Sequence, residues 1–308
     1  MEVAIQRIQN EVKKNIKGKD SIIFQVLCAL LAGGHVLLED IPGVGKTTLA
    51  LSFSQALALS YKRVQFTPDV MPSDITGFSM YNNQTRQFEF HQGAAMCNLL
   101  LADEINRTSP KTQSALLELM EEGKVTVDGI THFIPNPFFV IATQNPFGSA
   151  GTQRLPESQL DRFMIRLSMG YPNHESSVDI LKNDITASSL TPIVNIDQLV
   201  YMQKLVKNMY VDDSVYDFIV SFSEATRNSE FIQLGLSPRG MKALLRMSKA
   251  YAFMMNKSYV SIDDIIANIP SVVSHRIVLS SRAKAKDIDV DFVLQKLMNE
   301  VRVPKVSG

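Results

Sequence analysis

A chain of 308 residues is about twice a typical single-domain length, which predicts one large domain plus a smaller one. Apolar residues at 45% and charged residues at 20% are ordinary for a globular protein and exclude a disordered chain. Lys plus Arg and Asp plus Glu both number 31, so no global positive field draws the chain onto nucleic acid or an anionic membrane, which counts against a non-specific nucleic-acid motor.

In chain order, residues 1–19 are mixed and charged rather than leader-like, and the longest apolar run, 26–34, is far short of the roughly 18 residues that suggest a membrane span. A cytoplasmic location is the expectation. Cys28 and Cys97 each sit in an apolar run without the paired spacing of a zinc site or disulfide framework, and read as small buried hydrophobes. From about Ile22 to Phe163, short apolar strands alternate with amphipathic helices, the rhythm of helices packed on a mainly parallel sheet. The predicted strands are 35–38, 63–66, 98–102 and 138–142, the last two apolar enough to be central and covered on both faces.

After the first strand comes Pro42-Gly43-Val44-Gly45-Lys46-Thr47-Thr48, opening a helix over 49–57, the context a phosphate-binding loop requires. Gly43 and Gly45 let the backbone turn its amides inward, the helix N-terminus adds partial positive charge, and Lys46 reaches the β and γ phosphates. Thr47 supplies a hydroxyl for magnesium. The strict pattern fails at one place: its first glycine is here Asp40.

The strand 98–102 delivers Asp103 and Glu104 at its C-terminal end, where ligands collect in open α/β sheets. Asp103 is read as a direct or water-mediated magnesium partner and Glu104 as the base that orients and deprotonates water. Next, Ser109 caps a helix that Pro110 enters, that buries Ala115, Leu116, Leu119 and Met120, and that Gly123 ends. Residues 125–127 and 130–133 flank Asp128-Gly129, a favoured two-residue turn, and predict a hairpin. The strand 138–142 runs into Gln144, Asn145 and Pro146, either amide being placed to meet a γ phosphate or the attacking water.

Past about Gly170 strand signals fade and helices are predicted over 199–209, 215–225, 238–254 and 262–269, dividing an α/β domain, 1–170, from an all-α lid, 171–308. Two arginines fit charge stabilisation on a transferring phosphoryl group: Arg162, in Leu160-Asp161-Arg162-Phe163, and Arg239, placed at the start of a lid helix by Ser237 and Pro238. The five histidines, His35, His91, His132, His174 and His275, are too dispersed for a local metal motif.

These segments resemble the AAA+ superfamily and, within it, the MoxR group of ATPases. The match is carried by Leu38 through Thr47, where an acidic residue at the Asp40 position is customary in the group, by Phe66-Thr67-Pro68-Asp69 with Met71 through Gly77, and by Leu101-Ala102-Asp103-Glu104-Ile105-Asn106-Arg107. The resemblance implies ATP and Mg2+ as cofactors, Asn145 as sensor 1, Arg162 as arginine finger (over Arg154 and Arg166), Arg239 as sensor 2, and the 125–133 hairpin as an insertion before sensor 1. It further implies homo-oligomeric rings, commonly hexamers, acting as chaperone-like machines on a client complex, often with a partner bearing a von Willebrand factor A domain. Two alternatives stand beside a protein remodeller: a nucleic-acid-linked motor, disfavoured by the neutral charge and by Asp128 at the hairpin tip, and a chelatase-type ATPase subunit.

Overall fold

The computed structural model describes residues 2–41, 43–145, 155–172, 174–182 and 189–301. Two helices, α1 (Glu2–Lys13) and α2 (Asp20–Leu31), precede β1 (Val36–Glu39), α3 (Lys46–Ala56) and β2 (Tyr61–Gln65). Then come α4 (Pro72–Thr76), a hairpin of β3 (Gly77–Asn82) and β4 (Gln87–Gln92), β5 (Leu99–Asp103) and α5 (Pro110–Glu122). A second hairpin, β6 (Lys124–Val127) and β7 (Ile130–Phe133), leads to β8 (Phe139–Gln144), the short α6 (Glu157–Leu160) and β9 (Ile165–Leu167).

The central sheet is ordered β2-β5-β8-β1-β9 and is parallel throughout. Alternation along its inner strands feeds two cores. Val36, Leu38, Leu99, Leu101, Phe139 and Ile141 face α1, α2 and α3, whereas Leu37, Leu100, Ala102, Val140 and Ala142 face the Leu116, Leu117 and Met120 side of α5. Burial on both faces is why these strands read as continuous apolar runs. The parallel arrangement carries every C-terminal strand end, and so Glu39, Asp103 and Gln144, to one edge.

The α5 signals hold: Ser109 accepts the Thr112 amide, and Gly123 ends the helix at φ 63°. The predicted hairpin is also present, with Asp128 and Gly129 both at positive φ, 49° and 79°, as its tight turn requires. The β3–β4 hairpin was not predicted. Its turn has no glycine; instead the Asn82 side chain accepts the amides of Gln84 (2.8 Å) and Thr85, and Arg86 takes φ 54°. The two hairpins meet through stacked rings of Phe90 and His132, centroids 3.7 Å apart.

Beyond β9 follow α7 (His174–Lys182), α8 (Ile196–Lys207), α9 (Asp213–Asn228), α10 (Pro238–Met254), α11 (Ile262–Val273), α12 (Ser281–Ala285) and α13 (Val290–Glu300). Four strands of two or three residues, β10 (Tyr210–Val211), β11 (Ile232–Leu234), β12 (Tyr259–Val260) and β13 (Val278–Leu279), pair as two ribbons among these helices. Segments so short leave no alternation to read. The helical lid shares its core with the α1–α3 face, where Leu199, Phe218 and Leu244 join the same cluster as Val26 and Leu30. Among the described residues no helix is long and apolar enough to cross a membrane.

Candidate nucleotide site

The turn between β1 and α3 is shaped by its glycines. Gly43 and Gly45 take φ 85° and 94°, a region that side chains rarely enter, and Gly45 as N-cap offers the first-turn amides of α3 no side chain. A Cβ at Gly43 would meet open space, so backbone conformation rather than crowding demands glycine there. Pro42 lies outside the described residues, and Val44 packs at the edge of the large core. The half-buried Lys46 ammonium donates to the carbonyls of Asp40 (2.7 Å) and Ile41 (3.0 Å). Burial lowers its pKa, opposed by the charges of Asp40, Asp103 and Glu104.

Asp40, the departure from the usual glycine pattern, is a clasp. Its Oδ2 accepts from the Met169 amide, the Gly170 amide (2.9 Å) and the Ser168 hydroxyl (3.1 Å), tying the loop to the chain that leaves β9. Lys19 holds the same segment from the other side, donating to the carbonyls of Gly170 (3.3 Å) and Tyr171 (2.7 Å).

At the end of β5, Asp103 uses both oxygens. Oδ1 accepts from the Thr143 hydroxyl at 2.6 Å and Oδ2 from Arg63 Nη2 at 2.7 Å. Glu104 takes φ 57° and ψ 48°, a left-handed conformation that costs a non-glycine residue roughly 1 kcal/mol or more and persists only where the surroundings impose it. Its amide is held by Thr143 Oγ1 at 2.9 Å, so one β8 hydroxyl fixes both acidic residues, and its carboxylate pairs with Arg107 at 2.6 Å. The bend turns Glu104 out of the strand toward the loop.

Gly43, Gly45, Lys46, Thr47, Thr48, Asp103, Glu104 and Asn145 all line one cavity of about 410 Å³, together with Arg63 and Gln65. Of the two amides left open by the sequence, Asn145 faces this cavity, while Gln144 turns away to Glu39 at 2.9 Å. Uncapped amides, an ammonium that among the described residues is held by loop carbonyls, a threonine hydroxyl and two carboxylates form a set of groups that fits a nucleoside triphosphate with its divalent cation. Among the described residues no cluster of three or more His, Cys, Asp or Glu could hold a metal by itself, so the cation would be held jointly with phosphate.

Arg162 and Arg239 are not part of this cavity. They line a second hollow, of about 250 Å³, with Glu121, Asp161 and Arg276. The Glu121 carboxylate, at the end of α5, meets Arg239 Nη2 at 2.6 Å and Arg162 Nη1 at 3.5 Å. Arg162 Nε is buried with no hydrogen-bond partner among the described residues. Asp161 bridges the segment after α6 to the lid: Oδ2 accepts from Ser237, the cap of α10, at 2.9 Å, and Oδ1 from Arg276 at 2.8 Å. Arg276 also donates to the carbonyls of Asp161, Met164 and Val272. Burial pushes its pKa down, countered by Asp161. Of the other two arginines weighed, Arg166 is paired with Glu39 at 3.1 Å and Arg154 lies outside the described residues.

Sequence reasoning missed Arg63, Gln65, Thr143 and Glu121. Polar residues at alternate positions of β2 and a lone threonine in the apolar β8 are the signals that could have found the first three; Glu121 reads as any exposed acid of a helix. His35 and His275 are buried structural residues. His35 Nδ1 accepts the Val140 amide and Nε2 donates to Met120 O, both at 3.0 Å, and burial pushes its pKa down to about 4.

A family model described as the ATPase family associated with various cellular activities (AAA) matches residues 35–165, and an AAA lid domain model matches 224–297. The chain is 46% identical to the uncharacterised protein YeaC of Bacillus subtilis, over 95% of this chain and 92% of that protein. It is 36% identical to Chaperone MoxR1 of Mycobacterium tuberculosis, over 99% and 83% of the two lengths. A crystal structure of a candidate ATPase from Cytophaga hutchinsonii superposes with a TM-score of 0.90 at 33% identity, covering 99% of this chain and 96% of the other.

Proposed function

The chain belongs to the MoxR group of AAA+ ATPases, and from that premise we propose that it couples magnesium-dependent ATP hydrolysis to chaperone-like remodelling or activation of a protein complex. The observation that carries the reading is the convergence of the Gly43–Thr48 loop, the Asp103–Glu104 pair and Asn145 on one cavity. In it, loop amides and Lys46 would bind the phosphates, Thr47 and Asp103 would hold the cation, Asn145 would fix the γ phosphate or the water, and Glu104 would take the water's proton. The chemistry a bound magnesium ion would supply there is neutralisation of the charge on the transferring phosphates. The nucleotide-binding domain spans 1–170 and the lid 171–308.

Arg162 and Arg239 act together on the nucleotide of a neighbouring subunit in a homo-oligomeric ring, a hexamer by the family resemblance. Their shared place at Glu121, outside the subunit's own phosphate cavity, supports this. A chaperone-like role is supported by the name of the mycobacterial relative. A protein client rather than nucleic acid is supported by the paired hairpins: Phe78, Phe88, Ile130 and Phe133 are exposed there, and the segments 77–92 and 124–133 hold two cations, Arg86 and Lys124, against two acids, Glu89 and Asp128. A partner with a von Willebrand factor A domain and a cytoplasmic location complete the proposal.

The test is Glu104→Gln. ATP turnover falls about a hundredfold or more while binding of a fluorescent ATP analogue persists, and undiminished turnover overturns the assignment. The same variant, loaded with ATP, is the bait for isolating the client.

A further inference from the structure

Arg63 stands where the chemistry does not call for a cation. It projects from β2 into the phosphate cavity, half exposed, with Nη2 at 2.7 Å from Asp103 Oδ2 and 2.9 Å from Gln65 Oε1. The other oxygen of Asp103 is taken by Thr143, so the carboxylate assigned to the cation already has both oxygens engaged, one of them by a full positive charge. A divalent ion brought to this carboxylate with the phosphates adds two positive charges beside the guanidinium, and two cations on one carboxylate oxygen repel.

We propose that Arg63 is a positioning residue that competes with the nucleotide's magnesium for Asp103: the guanidinium holds the carboxylate in place before the metal arrives and yields it when the metal binds. Gln65 is the resting place for the displaced group, since it accepts from the same Nη2 and lines the same cavity. The arrangement keeps the nearly buried carboxylate charge-matched in the empty site, at the expense of a weaker hold on the metal. The inference rests on the nucleotide reading of the cavity, and the experiment separates the two.

Binding of a fluorescent ATP analogue to the intact chain is titrated with Mg2+ in the wild type, Arg63→Ala and Arg63→Lys, with a melting curve for each to confirm folding. Removing the competitor lowers the Mg2+ midpoint of Arg63→Ala by about three- to tenfold, the size of one charge-assisted contact in a half-exposed site, whereas Arg63→Lys, which keeps the charge, stays near wild type. A midpoint in Arg63→Ala that is unchanged or raised overturns the proposal; a raised one, with weaker binding in the absence of Mg2+, makes Arg63 a phosphate ligand instead. Failure of the wild type to bind the analogue at any Mg2+ concentration overturns the nucleotide reading itself, and this inference with it.

Discussion

The cavity beside the Gly43–Thr48 loop and the arginine hollow are both polar recesses of one chain, built on opposite plans. The first is assembled from consecutive strand ends of a single parallel sheet, and its cations and acids face a shared empty volume. The second gathers side chains from α5, the segment after α6, the start of α10 and the turn after α11, and there Arg162, Arg239 and Arg276 each lean on an acid of the same chain. Density of charge alone therefore does not mark a binding site. What distinguishes the second recess is its charge balance: Glu121 serves two guanidiniums and Asp161 a third, while Lys242 and Arg246 line it as well, so cations outnumber acids among its lining residues.

The comparison breaks first at Arg162. Arg162→Ala should cut ATP turnover of the assembled protein about a thousandfold while leaving nucleotide affinity of the isolated subunit unchanged; a matching loss of affinity would return this arginine to the subunit's own cavity. Asp161→Ala strips the partner from Arg276, whose side chain is only 2% exposed, and should cost about 3 kcal/mol in urea unfolding. A cost below about 1 kcal/mol would mean that the backbone carbonyls alone satisfy that guanidinium.

A third measure uses His35, which lines the arginine hollow. Its folded pKa of about 4 lies below the ordinary 6.5, so the unfolded chain binds the extra proton and stability is whole above pH 6.5. It is then lost as pH falls toward 4, by about 2 kcal/mol at pH 5. His275, held well below its ordinary value by burial and by Arg276, adds in the same direction. Unfolding of His35→Gln followed across this range should show a flatter slope; an unchanged slope would assign the acid sensitivity elsewhere. The smallest effect is expected of Ser109→Ala, which uncaps the helix that presents Glu121 and should cost about 1 kcal/mol by the same measurement.

Much of the first recess was legible because local rules determine it. Two glycines before Lys46-Thr47 and a buried strand ending in two acids are fixed by backbone geometry and period, and so are the capped α5 and the Asp128-Gly129 turn. What escaped reading depends on neighbours far away in the chain. The Asn82 side chain does the work a glycine would announce, the bend at Glu104 is imposed by a hydroxyl 39 residues later, and Glu121 gains meaning only when Arg239 arrives 118 residues on. The aspartate at position 40, an exception in the linear pattern, is explained by contacts with residues about 130 positions away.

That clasp makes the protein a lever. The loop that would grip phosphate and the point where the chain departs for the lid are pinned to one carboxylate, with Lys19 as the opposite jaw. Lys46 meanwhile rests on the carbonyl of that same aspartate. The phosphate-facing ammonium and the first residues after the sheet thus bear on one residue, so a shift at either is felt at the other through a single aspartate.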